Sequence, residues 1–230
     1  TGEVSKNQDP EMADVCLLLE GTYPYIQGGV SAWVHQIIST MPDIRFSIFF
    51  IGSQKETTPK QFYSFPENVV DFEEVFIFEK LKEEEKTRVE IPKFISDELY
   101  RLLGDIYFSK RSSDRVVAFW ETLDFLDKTG IEITFANLCQ DYDCWELLKK
   151  GYHVGAEGDS FIDFFWSVRF MHTPIWTLLK SRKRVPKARV YHSVSTGYAG
   201  IIGAFAARVR KAPYFITEHG IYTKERVAEI

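Results

Sequence analysis

The chain has 230 residues, of which 45% are hydrophobic and 27% charged, with a formal net charge of -5. That length and apolar content support a packed globular core rather than a disordered chain. The acidic balance excludes broad nucleic-acid binding, which needs a basic surface. The three cysteines form no dense pattern, which indicates free thiols in a reducing, cytosolic compartment. No metal site is expected, because Cys139 and Cys144 do not stand at zinc-motif spacing.

Residues 1–13 are polar and read as a flexible leader without a signal peptide. The apolar run Val15 to Leu19 has no polar alternation, as a strand buried on both faces shows. It stops at Glu20-Gly21, and a turn-forming stretch with Pro24 and Gly28-Gly29 follows. Val30, Trp33, Val34, Ile37 and Ile38 then recur at helical spacing, up to Thr40. Strand, glycine loop and helix in that order place unbonded helix amides beside glycines that allow close backbone approach. A phosphate or sugar hydroxyl could sit at Gly28-Gly29; a structural turn is the competing reading. The spacing is neither G-x-G-x-x-G nor a Walker motif.

Pro42-Asp43 breaks the helix, and Phe46 to Ile51 is a second strand, so the chain opens as a βαβ unit. A polar loop, Gln54 to Pro66, leads to a third strand at Val75 to Phe78. From about residue 80 to 186 the pattern turns helical, far longer than an ordinary crossover, and reads as an insertion decorating the sheet. Lys82 to Glu90 is a charge run suited to a solvated face. Pro92 opens a helix through about Leu103, and Ser112-Ser113-Asp114 offers a cap for a second helix ended by Gly130. A short helix after Asp141 is expected to stop at Gly151. Asp159 or Ser160 caps a long one through Leu179 that is too interrupted by charge and proline to span a membrane. The basic cluster of Lys180, Arg182, Lys183, Arg184 and Lys187 suits a helix C-terminus, or contact with anionic lipid or a partner. A strand over Ala188 to Val194, a small-residue helix from Tyr198 to Arg210 and a strand over Tyr214 to Thr217 restore the α/β pattern, and Tyr222 to Ile230 starts another helix. The fold class is α/β: a Rossmann-like parallel sheet over 14–230 with a large helical insertion.

Ligands of open parallel sheets bind beyond the carboxyl ends of the strands. Polar residues gather at three such ends: Glu20 with Gly28-Gly29, His192 with Ser195 and Thr196, and Thr217 with Glu218 and His219. His35, His153 and His172 stand away from these ends and read as structural.

Glu20-Gly21-Thr22-Tyr23-Pro24-Tyr25 followed by Gly28-Gly29-Val30-Ser31-x-Trp33-Val34 resembles the opening of the PelF family, family 4 glycosyltransferases of GT-B fold tied to the Pel-type bacterial exopolysaccharide. Tyr191-His192-Ser193-x-Ser195-Thr196-Gly197-Tyr198 and Thr217-Glu218-His219-Gly220-Ile221-Tyr222 resemble strings at the end of the N-terminal GT-B half. Many family 4 enzymes carry His-x-His on the first of these strands; here the second position is Val194, leaving His192 alone. The resemblance implies a retaining transfer of a hexose from a nucleotide sugar, UDP-linked, to a growing exopolysaccharide. It implies no metal and no cofactor, with the UDP-sugar as donor substrate. His192 and His219 are then the candidate catalytic residues. Glu20, Gly28, Gly29, Ser195, Thr196 and Glu218 are the candidate substrate-binding residues.

The resemblance implies a second, C-terminal nucleotide-sugar domain, which these residues do not contain, so this half alone is expected to be inactive. Implied partners are the nucleotide sugar, a saccharide acceptor and other exopolysaccharide-synthesis proteins. The implied location is the cytoplasm, peripheral at the inner membrane through those proteins. The competing reading is a non-catalytic Rossmann-like module that holds sugar or nucleotide or docks onto an assembly. A hydrolase with a histidine base lacks the G-x-S-x-G elbow.

Overall fold

The structure, a computed structural model, describes residues 12–55, 57, 59–78 and 90–219. The leader over 1–11, the charge run over 82–89 and the helix from Tyr222 lie outside the described residues. The chain divides into two compact units: Thr1–Glu79 with Ser181–Ile230, and Lys80–Lys180.

The first unit is built on β1 (Ala13–Glu20), α1 (Gly29–Thr40), β2 (Phe46–Gly52) and β3 (Val69–Phe76). Its remaining described elements follow the helical unit: β4 (Ala188–Ser193), a helix (Tyr198–Arg210) and β5 (Tyr214–Ile216). The five strands form one sheet in the order β3-β2-β1-β4-β5, every pair parallel. This is the Rossmann-like α/β architecture that the sequence pattern implies. β1 is central, and Leu17, Leu18 and Leu19 are buried whichever face they point to. Val34 and Ile38 of α1 pack with Leu17, Leu19, Ile48 and Phe50 in one apolar cluster. The C-terminal end of α1 is held from outside the helix. Asn68 Nδ2 donates to the carbonyls of Ile38, Met41 and Ile44, each at 3.0 Å.

β3 starts earlier than its apolar run. It also ends at Phe76, inside the expected run of Val75 to Phe78; Val69 to Glu74 make no apolar run because the strand lies at the sheet edge and carries Asp71, Glu73 and Glu74. Charge on an edge strand is a common guard against unwanted pairing. Arg184, in a 3₁₀ turn over Ser181–Arg184, forms an ion pair with Glu73.

The second unit contains α2 (Lys93–Phe108), α3 (Ser112–Thr129), α4 (Phe135–Gln140), α5 (Tyr142–Gly155) and α6 (Phe161–Lys180). Ile95, Leu99, Leu103, Leu126, Leu147 and Trp176 belong to its own core. Three features depart from the sequence reading. α3 begins after Arg111 without a side-chain cap, so Ser112 lies inside the helix rather than before it. α4 has no counterpart in the apolar pattern and is started by a capping box between Thr134 and Asn137. α5 runs through Gly151 to Gly155 instead of stopping there. Glycine costs a helix interior roughly 1 kcal/mol relative to alanine, a cost the helix carries at 151, where a Cβ would make only ordinary contacts with Phe164 and Phe108. Gly130, with φ 67°, ends α3 as expected.

The helix Tyr198–Arg210, here α7, packs on β1, β4 and β5. Its small residues allow a close approach. A Cβ at Gly203 would lie 2.4 Å from Ser193 Oγ and 2.8 Å from Tyr214 Cε2, closer than real atoms come. Among the described residues, no helix is long and apolar enough to cross a membrane.

Candidate functional site

The carboxyl ends of the parallel strands form a polar rim, as the strand-end pattern implies. The loop from β1 to α1 is pinned by its aromatics. Tyr23 is fully buried against Tyr63 and Phe65, and its hydroxyl meets His35 Nδ1 at 3.2 Å. Pro24 accepts hydrogen bonds from the backbone amides of Phe62 and Tyr63, and the Tyr25 hydroxyl donates to Glu74. The Tyr-Pro-Tyr string is thus an anchor that fixes where the following glycines lie.

Gly28 and Gly29 are exposed at the start of α1. Gly28 is extended, with φ 177°, and supplies no side-chain cap; the first turn of α1 has no acidic residue. A Cβ placed on either glycine would meet nothing within 4 Å. The side-chain positions at this turn thus border open space, at the helix end where the dipole favours an anion. One turn on, Trp33 packs edge-on against two imidazoles. Its ring lies 4.9 Å from His219 and 6.0 Å from His192, at 77° and 87°. That contact brings the helix start and two strand ends into one cluster.

His192 is half-buried at the end of β4, and its Nε2 meets the Thr217 hydroxyl at 2.8 Å. Burial, with the charge of His219 as the smaller cause, holds its pKa below the ordinary value of 6.5. A neutral imidazole can accept a proton or a hydrogen bond from a sugar hydroxyl near pH 7. The Thr196 hydroxyl donates to Glu218 Oε1 at 3.3 Å, so these two predicted residues meet across the β4 and β5 exits.

Glu20 has a different setting. Its Oε2 accepts from the amides of Tyr198, at 2.9 Å, and Ala199, at 3.4 Å. The Ser195 hydroxyl also approaches it, at 3.4 Å. Glu20 caps α7 from a neighbouring strand, supplying the acceptor that Gly197 at the N-cap position lacks. A Cβ at Gly197 would come within 2.7 Å of that carboxylate oxygen. The anion-binding position at the start of α7 is already filled by a side chain of the same chain. Among the predicted site residues, the open face is at the exposed Gly28, Gly29, Thr196, Glu218 and His219 with the half-buried His192, and Glu20 with Ser195 forms its internal support. Val194, at the second position of the His-x-His pattern, packs in the apolar core and is 4% exposed.

Residues 13–230 match the model of a family described as a domain of unknown function, DUF3492. The chain belongs to this family. No curated protein and no solved structure matches it. Two residues of this DUF3492 domain join the site in addition to the candidate catalytic and substrate-binding residues. Thr217 was visible as a hydroxyl at a strand exit, but its bond to His192 depends on the β4–β5 register. Trp33 stands four positions after Gly29, on the same helix face, and that spacing was the available signal. No group of three or more metal-ligating side chains occurs among the described residues.

Proposed function

We propose that this domain is the acceptor-side half of a retaining glycosyltransferase that moves a hexose from a nucleotide sugar, UDP-linked, to a growing bacterial exopolysaccharide. The observation that carries this reading is the cluster of Gly28-Gly29, Trp33, His192, Thr217 and His219 at the carboxyl rim of a parallel sheet. The resemblance of the flanking strings to the PelF family supplies the reaction class. In this reading a second Rossmann-like half, outside these residues, binds the nucleotide. The half described here forms the facing wall. The α1 amides at Gly28-Gly29 would stabilise charge as it builds on the leaving diphosphate, and the imidazoles of His192 and His219 would hold sugar hydroxyls. Glu20 and Ser195 set the position of the β4–α7 turn.

The test is hexose transfer from UDP-sugars by the full-length protein that carries this domain. Gly29→Val finds room within the fold, since nothing lies within 4 Å of its Cβ, so its effect would fall on the ligand. The expected loss of kcat/KM is about 10²–10³, the scale of one missing oxyanion-type donor. His192→Ala and His219→Ala are expected to reduce turnover while the far-UV spectrum stays unchanged. Full activity in Gly29→Val would remove the glycine loop from the mechanism. Tight UDP binding by these 230 residues alone, with no turnover by the longer protein, would mark a binding module instead.

A further inference from the structure

The helical unit encloses a cavity of about 400 Å³, within the range of small-molecule sites. Four helices wall it, including Tyr107 of α2, Phe135 of α4, Gly151 of α5, and Val168 and His172 of α6. The lining is aliphatic and aromatic apart from His172, the Tyr107 hydroxyl and two thiols, and no lysine, arginine or carboxylate lines it. His172 is accounted for within the wall. Its Nδ1 donates to the Val168 carbonyl at 2.7 Å, and its ring stacks on Phe135 and meets Tyr107 edge-on. A charged or polyhydroxylated ligand would lose hydration there without finding partners. The chemistry fits an apolar ligand with at most one hydrogen-bonding group.

A second observation says what kind of apolar ligand. The cavity reaches the surface at Val154 and Met171, which line it and are 69% and 54% exposed. Beyond that mouth, Ile162, Trp166 and Phe170 stand at helical spacing on α6 and are 66%, 57% and 71% exposed. By helical geometry this stripe lies on the opposite side of α6 from the cavity-lining Val168 and His172. A helix apolar on two sides is matched to more than its own core. An exposed aromatic stripe containing tryptophan, with Arg169 5.6 Å from the Trp166 ring, has the composition of a helix that rests at a lipid surface.

We propose that the cavity of the helical unit binds a hydrocarbon chain of a lipid, entering between Val154 and Met171. The chain is supplied either as a free single-chain amphiphile or from a bilayer on which the α6 stripe rests.

The probe is cis-parinaric acid, titrated into the 230-residue chain while energy transfer from tryptophan is followed; Trp176 lines the cavity. Saturable one-site binding is expected, reversed by dodecanoate or by vesicles of phosphatidylethanolamine and phosphatidylglycerol. Displacement by dodecanoate alone identifies the free amphiphile, and displacement by vesicles identifies the bilayer source. Gly151→Leu places a side chain between Phe108 and Phe164 and is expected to weaken binding at least about tenfold, as when two methylenes lose their burial. Met171→Trp, at the exposed mouth, narrows entry without touching the core and is expected to do the same. Phe170→Ser, on the outer stripe, leaves dodecanoate binding unchanged and weakens vesicle binding if the bilayer is the source. Absence of saturable binding, or unchanged affinity in both Gly151→Leu and Met171→Trp with thermal stability retained, overturns the proposal.

Discussion

Glu20 shows how a residue can stand in the expected place and have an unexpected setting. Its position at the end of β1 follows from the apolar run before it. Its bond to Tyr198 joins residues 178 positions apart, and no local pattern reports such a pair. Two amides at the start of α7 depend on this one carboxylate oxygen. Glu20→Ala is expected to cost about 1–2 kcal/mol, the upper range of helix-cap losses. Glu20→Gln keeps an acceptor and should lose less than half of that. Urea denaturation of the three proteins checks the order Glu, Gln, Ala. Equal stability of wild type and Glu20→Ala would show that the cap contributes nothing. His192 was legible as a rim residue because it ends an apolar strand, whereas the burial that lowers its pKa depends on how β4 and β5 pack.

At the scale of the element, legibility followed burial. β1, β2 and α1 are dominated by sheet core, and their apolar periods give their bounds to within two residues. β3 lies at the edge, where three of its eight residues are acidic, and its first residues are invisible as an apolar run. α4 is short enough that its cap rather than its periodicity defines it. The end of α1 was read from Pro42, yet its carbonyls are held by Asn68, from the start of another strand. An Asp at that position would direct an anion at three carbonyl oxygens and at the negative end of the helix dipole. Asn68→Asp is therefore expected to cost about 2–3 kcal/mol at pH 7, against about 1 for Asn68→Ala. Chemical denaturation at pH 7 and again near pH 4 checks this, because protonating the new carboxyl should recover part of the loss. A milder effect of Asp than of Ala would rule the cap out.

For the whole molecule, each unit contains one histidine held neutral mainly by burial: His192 in the sheet unit and His172 in the helical unit. Both folded pKa values lie below the ordinary 6.5 of an unfolded chain. The unfolded state then binds more protons in mild acid, so this part of the stability is full above pH 6.5 and falls as pH drops below it. Thermal midpoints are expected to decrease from pH 7 to pH 5, and His192→Asn with His172→Gln should flatten that limb. An acid limb of undiminished slope in the double variant would assign it to the carboxylates. The parallel sheet was the part of the molecule most visible in the sequence, because the run Val15 to Leu19 of β1 is wholly apolar and that of β2 is interrupted only by Ser47 before Gly52. The division into two units was less so, since helical periodicity reports that a helix has a buried face and not which neighbour buries it.

The seat of α7 on the sheet has a consequence for how this sequence can diverge. At position 203 the space between helix and strand is already filled by Ser193 and Tyr214, so even a methyl group has nowhere to go. Drift there is possible only in concert: a lineage that acquires alanine must shrink both neighbours in the same step, or let the helix rise and carry the β4–α7 turn out of Glu20's reach.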